Sequence, residues 1–144
     1  MKIRDVLAKK GSEVHTIDAG EPLSGAVARF GQSKLRCLVV TDGAALAGML
    51  TFRDALLHLD RRGSSGLVDP VHEAMSRDVI TVTPESELEQ AHEHFTGSGI
   101  NHLPVLAEGE LVGLVTRADV LASKVFDVEE SNAHMLEYIS GSYL

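Results

Sequence analysis

Residues 65 positions apart match along most of the chain. Thr16 returns as Thr81, Leu23 as Leu88, Ala26 as Ala91 and Phe30 as Phe95. The same step relates Leu38 to Leu103, Val40 to Val105, Leu46 to Leu111, Gly48 to Gly113, Thr51 to Thr116 and Asp54 to Asp119. No gap interrupts this register over more than forty positions. A tandem duplication of this kind forces both halves towards one fold. Each half has an apolar sheet face and few strands, so the two are expected to pack on each other about a pseudo-twofold axis.

Hydrophobic periodicity places the elements. Ile3, Val6 and Leu7 share one face of a leading helix, and Val14 to Ile17 reads as a short strand. Pro22 opens a helix to about Gln32 with Leu23, Ala26, Val27 and Phe30 inward. Strands at Leu38–Val40 and Leu46–Leu50 follow, around the turn signal Asp42-Gly43. A helix then starts at Thr51, with Ala55, Leu56 and Leu59 towards the core. The stretch from Arg61 to Asp69, with Gly63-Ser64-Ser65-Gly66 inside it, reads as a linker. Beyond it the pattern repeats, with a short helix from Val71 to Met75, a strand Ile80-Thr81-Val82 and a helix opened by a Ser86-x-x-Glu89 capping box. Strands Leu103–Leu106 and Leu111–Val115 then lead into the Thr116 helix. The expected architecture is α/β (α+β), two tandem βαββα units plus a helical extension. The expected boundaries are 1–62 for the first unit, 63–69 for the linker, 70–125 for the second unit and 126–144 for the extension.

The repeated Gly-x-x-Thr-x-x-Asp carries the chemistry. Thr stands where a helix N-cap belongs and Asp three residues on, which makes a capping box with Asp in place of Glu. A helix start also offers unpaired N–H groups and a partial positive charge, which suit a phosphate. In one copy the cap alone is a sufficient explanation. Two copies in constant register, each behind a buried strand, would face a cleft between the halves, a usual place for a small ligand.

Composition narrows the function classes. A formal charge of −8 argues against broad nucleic-acid or anionic-membrane binding, and Trp is absent. Any anionic ligand therefore needs a local cluster of Arg or Lys. No apolar run approaches the ~20 residues of a membrane helix, and the first residues lack the apolar core of a secretory signal. The lone Cys37 lies in an apolar run and reads as a buried structural thiol in a reducing, cytoplasmic setting. His92-Glu93-His94 is the densest group of metal-ligating residues, but positions i and i+2 of a helix point about 200° apart. The pattern leaves His15, His58, His72 and His134 scattered and exposed, and only His102 flanks a buried strand near the cleft. No nucleophile elbow, metal-ligand spacing or phosphate-cradling Gly-rich loop is present, so an enzyme is not expected.

These residues resemble a tandem pair of cystathionine-β-synthase (CBS) domains, often called a Bateman module. In the first unit the likeness rests on Thr16-Ile17, Arg36-Cys37-Leu38-Val39-Val40 and Gly48-Met49-Leu50-Thr51-Phe52-Arg53-Asp54. In the second it rests on Thr81-Val82-Thr83-Pro84, Gly99-Ile100-Asn101-His102-Leu103-Pro104-Val105 and Gly113-Leu114-Val115-Thr116-Arg117-Ala118-Asp119. It spans about residues 1–125 and is nearest to members with no attached catalytic or DNA-binding domain.

The resemblance implies an adenosine-containing ligand in the cleft, a regulatory role such as energy sensing, and a disc-shaped homodimer. Asp54 and Asp119 would accept from ribose hydroxyls, and a carboxylate can accept from two adjacent hydroxyls at once. Thr51 and Thr116 would meet phosphate, with Arg36, Asn101, His102, Arg53 and Arg117 near it. Thr16-Ile17 and Thr81-Val82 would hold the adenine, with Pro104 counted among the ligand-side positions. Val39 stands where the second unit has Pro104, and Arg36 where it has Asn101, so the two sites need not be equivalent. With few bases near the first cleft, a monophosphate or an uncharged adenosyl group suits it better than a triphosphate.

Past Asp119, Leu121, Val125, Val128, Asn132, Met135 and Ile139 form a heptad-like stripe, read either as a helix on its own domain or as a contact across a dimer. The leading expectation is a non-catalytic sensor of AMP, ADP or ATP that signals to a protein target and requires no cofactor. S-adenosylmethionine is an alternative ligand. A constitutive interaction adaptor with empty clefts and a metal- or redox-responsive protein are alternative classes.

Overall fold

The computed structural model describes residues 1–125, so the extension at 126–144 and most of its stripe lie outside the described residues. The chain opens with α1 (Ile3–Lys10), then β1 (Thr16–Asp18), α2 (Leu23–Gln32), β2 (Cys37–Asp42), β3 (Ala45–Thr51) and α3 (Phe52–Arg62). Two 3-10 turns, Gly63–Val68 and Val71–Glu73, lead to α4 (Leu88–Ser98), β4 (His102–Ala107) and β5 (Glu110–Thr116). Residues 117–125 are helical and are called the closing helix below. In the first unit β2 pairs parallel with β1 and antiparallel with β3. In the second, β4 and β5 form an antiparallel pair, and the strand expected at Ile80–Val82 is reduced to one parallel bridge between Val82 and Val105. The duplication extends to detail, since both hairpins are irregular at the same register position, at Val40/Thr41 and at Val105/Leu106.

The leading segments exchange units. Ile3 and Val6 of α1 are buried with Val82, Leu88, Phe95, Leu103 and Val115, in the core of the second unit. Val71 and Ala74 are buried with Ile17, Leu23, Leu38 and Leu50, in the core of the first. Backbone bonds pin the exchange: the Ile3 N–H donates to the Ser86 carbonyl at 2.9 Å, and Met49 and Ser76 pair both ways at 3.0 and 2.8 Å. Cys37, Val39 and Met49, with Val79, Leu111 and Leu114 against them, form a third apolar cluster that joins the sheets. Burying these apolar faces on one another is what makes two thin units stable together.

Glycine makes room for each exchanged segment. A Cβ on Gly48 would lie 2.6 Å from the Ser76 carbonyl oxygen and 2.8 Å from Met75 Sδ. A Cβ on Gly113 would lie 2.7 Å from a Leu7 methyl. The first obstruction is backbone fixed by the Met49–Ser76 pair, while the second is the end of a side chain that can turn. Gly48→Ala is expected to cost about 1–3 kcal/mol and Gly113→Ala clearly less, as measured by urea denaturation. Equal losses would contradict the packing described here.

The linker takes up a 3-10 turn over Gly63–Val68, which Asp69 clamps. Other sequence expectations are corrected. Asp69 Oδ2 accepts from Arg62 Nε at 3.0 Å and lies 2.8 Å from His58 Nε2. His58, expected on the surface, is only 5% exposed for that reason. Leu56, expected inward, is 59% exposed, since Ala55 and Leu59 fill the core side of α3. The cap of α4 falls one residue later than expected: Gln90 Oε1 accepts from the Glu87 N–H at 3.0 Å, while Ser86 Oγ accepts from the Thr83 N–H at 3.0 Å. Pro22 is the N-cap of α2 and not its first helical residue.

Candidate functional site

Both Thr-x-x-Asp corners fold as reciprocal caps. The Asp54 N–H donates to Thr51 Oγ1 at 3.1 Å and the Thr51 N–H to Asp54 Oδ2 at 3.0 Å. Asp119 and Thr116 repeat the arrangement at 3.1 and 2.9 Å. The first helical N–H of each is also committed, from Phe52 to the Arg36 carbonyl at 3.1 Å and from Arg117 to the Asn101 carbonyl at 3.0 Å. Strand, cap and helix start are thus locked together twice, which orients each carboxylate rigidly.

Between the corners lies a cavity of about 750 Å³. Thr51, Arg53 and Asp54 line it from one unit, with Arg36 at the end of the preceding loop. Asn101, His102, Thr116 and Arg117 line it from the other. Ser76, Asp78, Val79 and Ile80 close it along the segment that leads into the second unit. Eight of the residues singled out from sequence therefore meet in one space. Thr16, Ile17, Thr81, Val82, Pro104 and Asp119 are not part of its wall. Ile17, Val82 and Pro104 are buried, and Thr16 is exposed on β1, where its carbonyl accepts from Arg29 Nη1 at 2.5 Å. Sequence reasoning passed over Ser76 and Asp78, which carry no helix or strand periodicity, although both immediately precede the Val79-Ile80 wall.

The charge balance favours anions. Arg36, Arg53 and Arg117 are among the residues of the wall, against Asp54 and Asp78. Arg117 is directed by a bond from Nη2 to the Phe95 carbonyl, and its buried Nε has no partner. A guanidinium is planar, always charged and suited to phosphate oxygens. Burial, assisted by the Lys10 ammonium and opposed by Asp119, holds the His102 pKa below the ordinary histidine value, so the neutral ring predominates at neutral pH. Cys37 lies behind the site with its thiol pushed up to about 12, by burial first and the Asp54 charge second, which makes it unreactive.

The two corners differ in what approaches the carboxylate. Ser76 Oγ stands 3.5 Å from both oxygens of Asp54. Lys10 Nζ stands 2.6 Å from Asp119 Oδ2 and 2.7 Å from the Leu114 carbonyl oxygen. Desolvation pushes the Asp119 carboxyl up, but the bonds from Lys10 and Thr116 outweigh it and hold the pKa below the usual carboxylate value.

Metal-ligating residues meet at one other place among the described residues. The potential ligand atoms of His58, Asp69 and Glu73 lie within 4.8 Å of one another. The Arg62 guanidinium already neutralises Asp69 there, which disfavours a second cation. No helix among the described residues is long and apolar enough to cross a membrane.

Comparison with known proteins agrees with this architecture. The profile of the CBS domain matches residues 3–61 and 71–125. The CBS domain-containing protein CBSX3, mitochondrial, of Arabidopsis thaliana is 31% identical, with 98% of this chain and 73% of that protein covered. The crystal structure of the CBS-domain containing protein ATU1752 from Agrobacterium tumefaciens superposes with a TM-score of 0.78 at 28% identity, covering 85% of this chain and 92% of that one. The crystal structure of CBSX2 in complex with AMP shares the fold with a TM-score of 0.68 at 23% identity, covering 78% and 87%. With two matched segments, the duplicated fold and a relative similar over 98% of this chain, the chain belongs to the CBS-domain family and carries two CBS domains in tandem.

Proposed function

We propose that the chain is a non-catalytic regulatory module that binds one adenosine ligand bearing phosphate in the cavity between its units. The observation that carries this reading is the convergence of Asp54 with Arg36, Arg53 and Arg117 on one space of about 750 Å³. That volume lies within the range of small-molecule sites. The Asp54 carboxylate suits a ribose diol, and the guanidinium groups suit phosphate oxygens. The AMP held by a protein of the same fold supports the choice of probe. Three arginines shift the expectation towards a charged nucleotide and away from an uncharged adenosyl group.

Occupancy would be transmitted by linkage. A ligand touching both units favours the arrangement that brings them together, and a target protein preferring that arrangement binds better. Calorimetry with AMP, ADP, ATP and S-adenosylmethionine tests the reading. Saturable heat with a phosphate-bearing member supports it, and no heat with any of them leaves the constitutive adaptor.

The reading includes a second copy of the chain on the face bearing Leu56 and Leu121, which are 59% and 46% exposed. These two positions are one repeat apart, and Phe52, also exposed, lies between the two cavities. A patch with its own approximate twofold can meet a copy of itself with equal contacts on both sides. Leu56→Glu combined with Leu121→Glu is expected to convert a dimer to a monomer in sedimentation velocity, with the melting of the monomer little changed. Unchanged sedimentation would contradict this assignment.

A further inference from the structure

The exchange of leading segments sets an unequal pair of groups against the two carboxylates. At the end of the segment crossing into the first unit, Ser76 faces Asp54 with a small neutral hydroxyl at 3.5 Å. At the end of the segment crossing into the second, Lys10 faces Asp119 with an ammonium at 2.6 Å. The ammonium has a second anchor on the Leu114 carbonyl oxygen at 2.7 Å. It sits on Asp119 Oδ2, the oxygen that also accepts from the Thr116 N–H. Asp54 belongs to the cavity wall and Asp119 does not.

We propose that Lys10 is an internal cation that closes the second carboxylate corner, so that the duplicated chain takes one ligand and not two. This rests on the adenosine-ligand reading of the first corner and deepens it by fixing the stoichiometry. A ribose diol needs both carboxylate oxygens, and at Asp119 Oδ2 it meets an ammonium held by two short bonds. At Asp54 it displaces only a long contact from Ser76. The lysine does at Asp119 what a ligand would do at Asp54: it supplies donors to an otherwise open carboxylate. The same bond ties α1 to the closing helix, so the occupied corner also holds the exchanged segment in place.

The test compares AMP stoichiometry by calorimetry across four chains. Lys10→Ala is expected to gain one equivalent of AMP per chain over the parent, because alanine keeps α1 intact and empties the corner. Lys10→Arg, which keeps a cation, is expected to stay at the parent value. Lys10→Ala combined with Asp119→Ala is expected to lose the gained equivalent. A Lys10→Ala chain with no gain overturns the proposal, as does a parent chain that already binds at Asp119. Failure of the first-corner reading is separately visible, as absence of AMP binding in the parent. In that event a single site appearing in Lys10→Ala still supports the closure, and none still overturns it.

Discussion

Phe95→Ala is expected to remove about 3–5 kcal/mol of stability, because it empties the largest buried side chain of the second core. Phe95 is 1% exposed on the inner face of α4. It shares a core with Ile3 and Val6 from α1 and with Leu103, Val105 and Val115 from the second hairpin. Its removal leaves a cavity bounded by elements from both ends of the described chain, so no single segment can collapse to fill it. A loss of that size is a large part of the total for an ordinary domain, about 5–15 kcal/mol. The duplication supplies the control. Phe30 occupies the same register position in α2 but is half-buried, at the edge of the groove between α2 and α3. Phe30→Ala should cost less than half as much in urea denaturation. Equal costs would mean that the two cores are packed alike, against the structure.

Asp54→Ala is expected to weaken AMP binding by about tenfold to a hundredfold, from the loss of hydrogen bonds to a charged acceptor worth about 1.5–3 kcal/mol. The carboxylate has a second task, because it caps α3 through the Thr51 N–H. Removing it therefore also loosens the helix start, at a cost of about 1 kcal/mol or less. Asp54→Asn separates the two effects. The amide oxygen can still accept from the Thr51 N–H, which leaves the NH2 group, a donor, where the ribose hydroxyls would need an acceptor. Melting near that of the parent together with weakened binding is the expected result for Asp54→Asn. Asp119→Ala should leave the affinity of the first corner within about twofold, since Asp119 is already bonded to Lys10 and lies outside the cavity wall.

Much of this molecule could be read from residues alone, and the limits follow from what local pattern encodes. The offset between Thr16 and Thr81 located both hairpins, because strand alternation and Gly turns are local signals. Thr51 with Asp54 and Thr116 with Asp119 were legible as caps, since a capping box spans only four residues. Ile3, Val6 and Leu7 announced an apolar helical face but could not say which core would receive it. That the leading segments cross between units is a tertiary fact. Its sequence trace is indirect, in Gly48 and Gly113, where a Cβ would meet the Ser76 carbonyl and the Leu7 side chain of the exchanged segments.

His58 was misplaced for a related reason. Nothing nearby in α3 explains its burial, which depends on Asp69 folding back with Arg62. Lys10 gave no signal at all, because a lysine in the last turn of a helix is ordinarily a solvated complement to the helix dipole. Only the exchange of segments carries it to Asp119. The candidate site was accordingly half legible. The motif residues were visible, and Arg36 against Asn101 already allowed unequal sites, but the lysine at the second corner was not visible.

On the proposed reading, Asp54 and the facing arginines hold one adenine nucleotide per chain. Titrating AMP into the parent chain and into Asp54→Asn by calorimetry tests it most directly. One equivalent per chain in the parent and at least about tenfold weaker binding in the variant are expected. Undiminished binding in Asp54→Asn, or two equal equivalents in the parent, would contradict it.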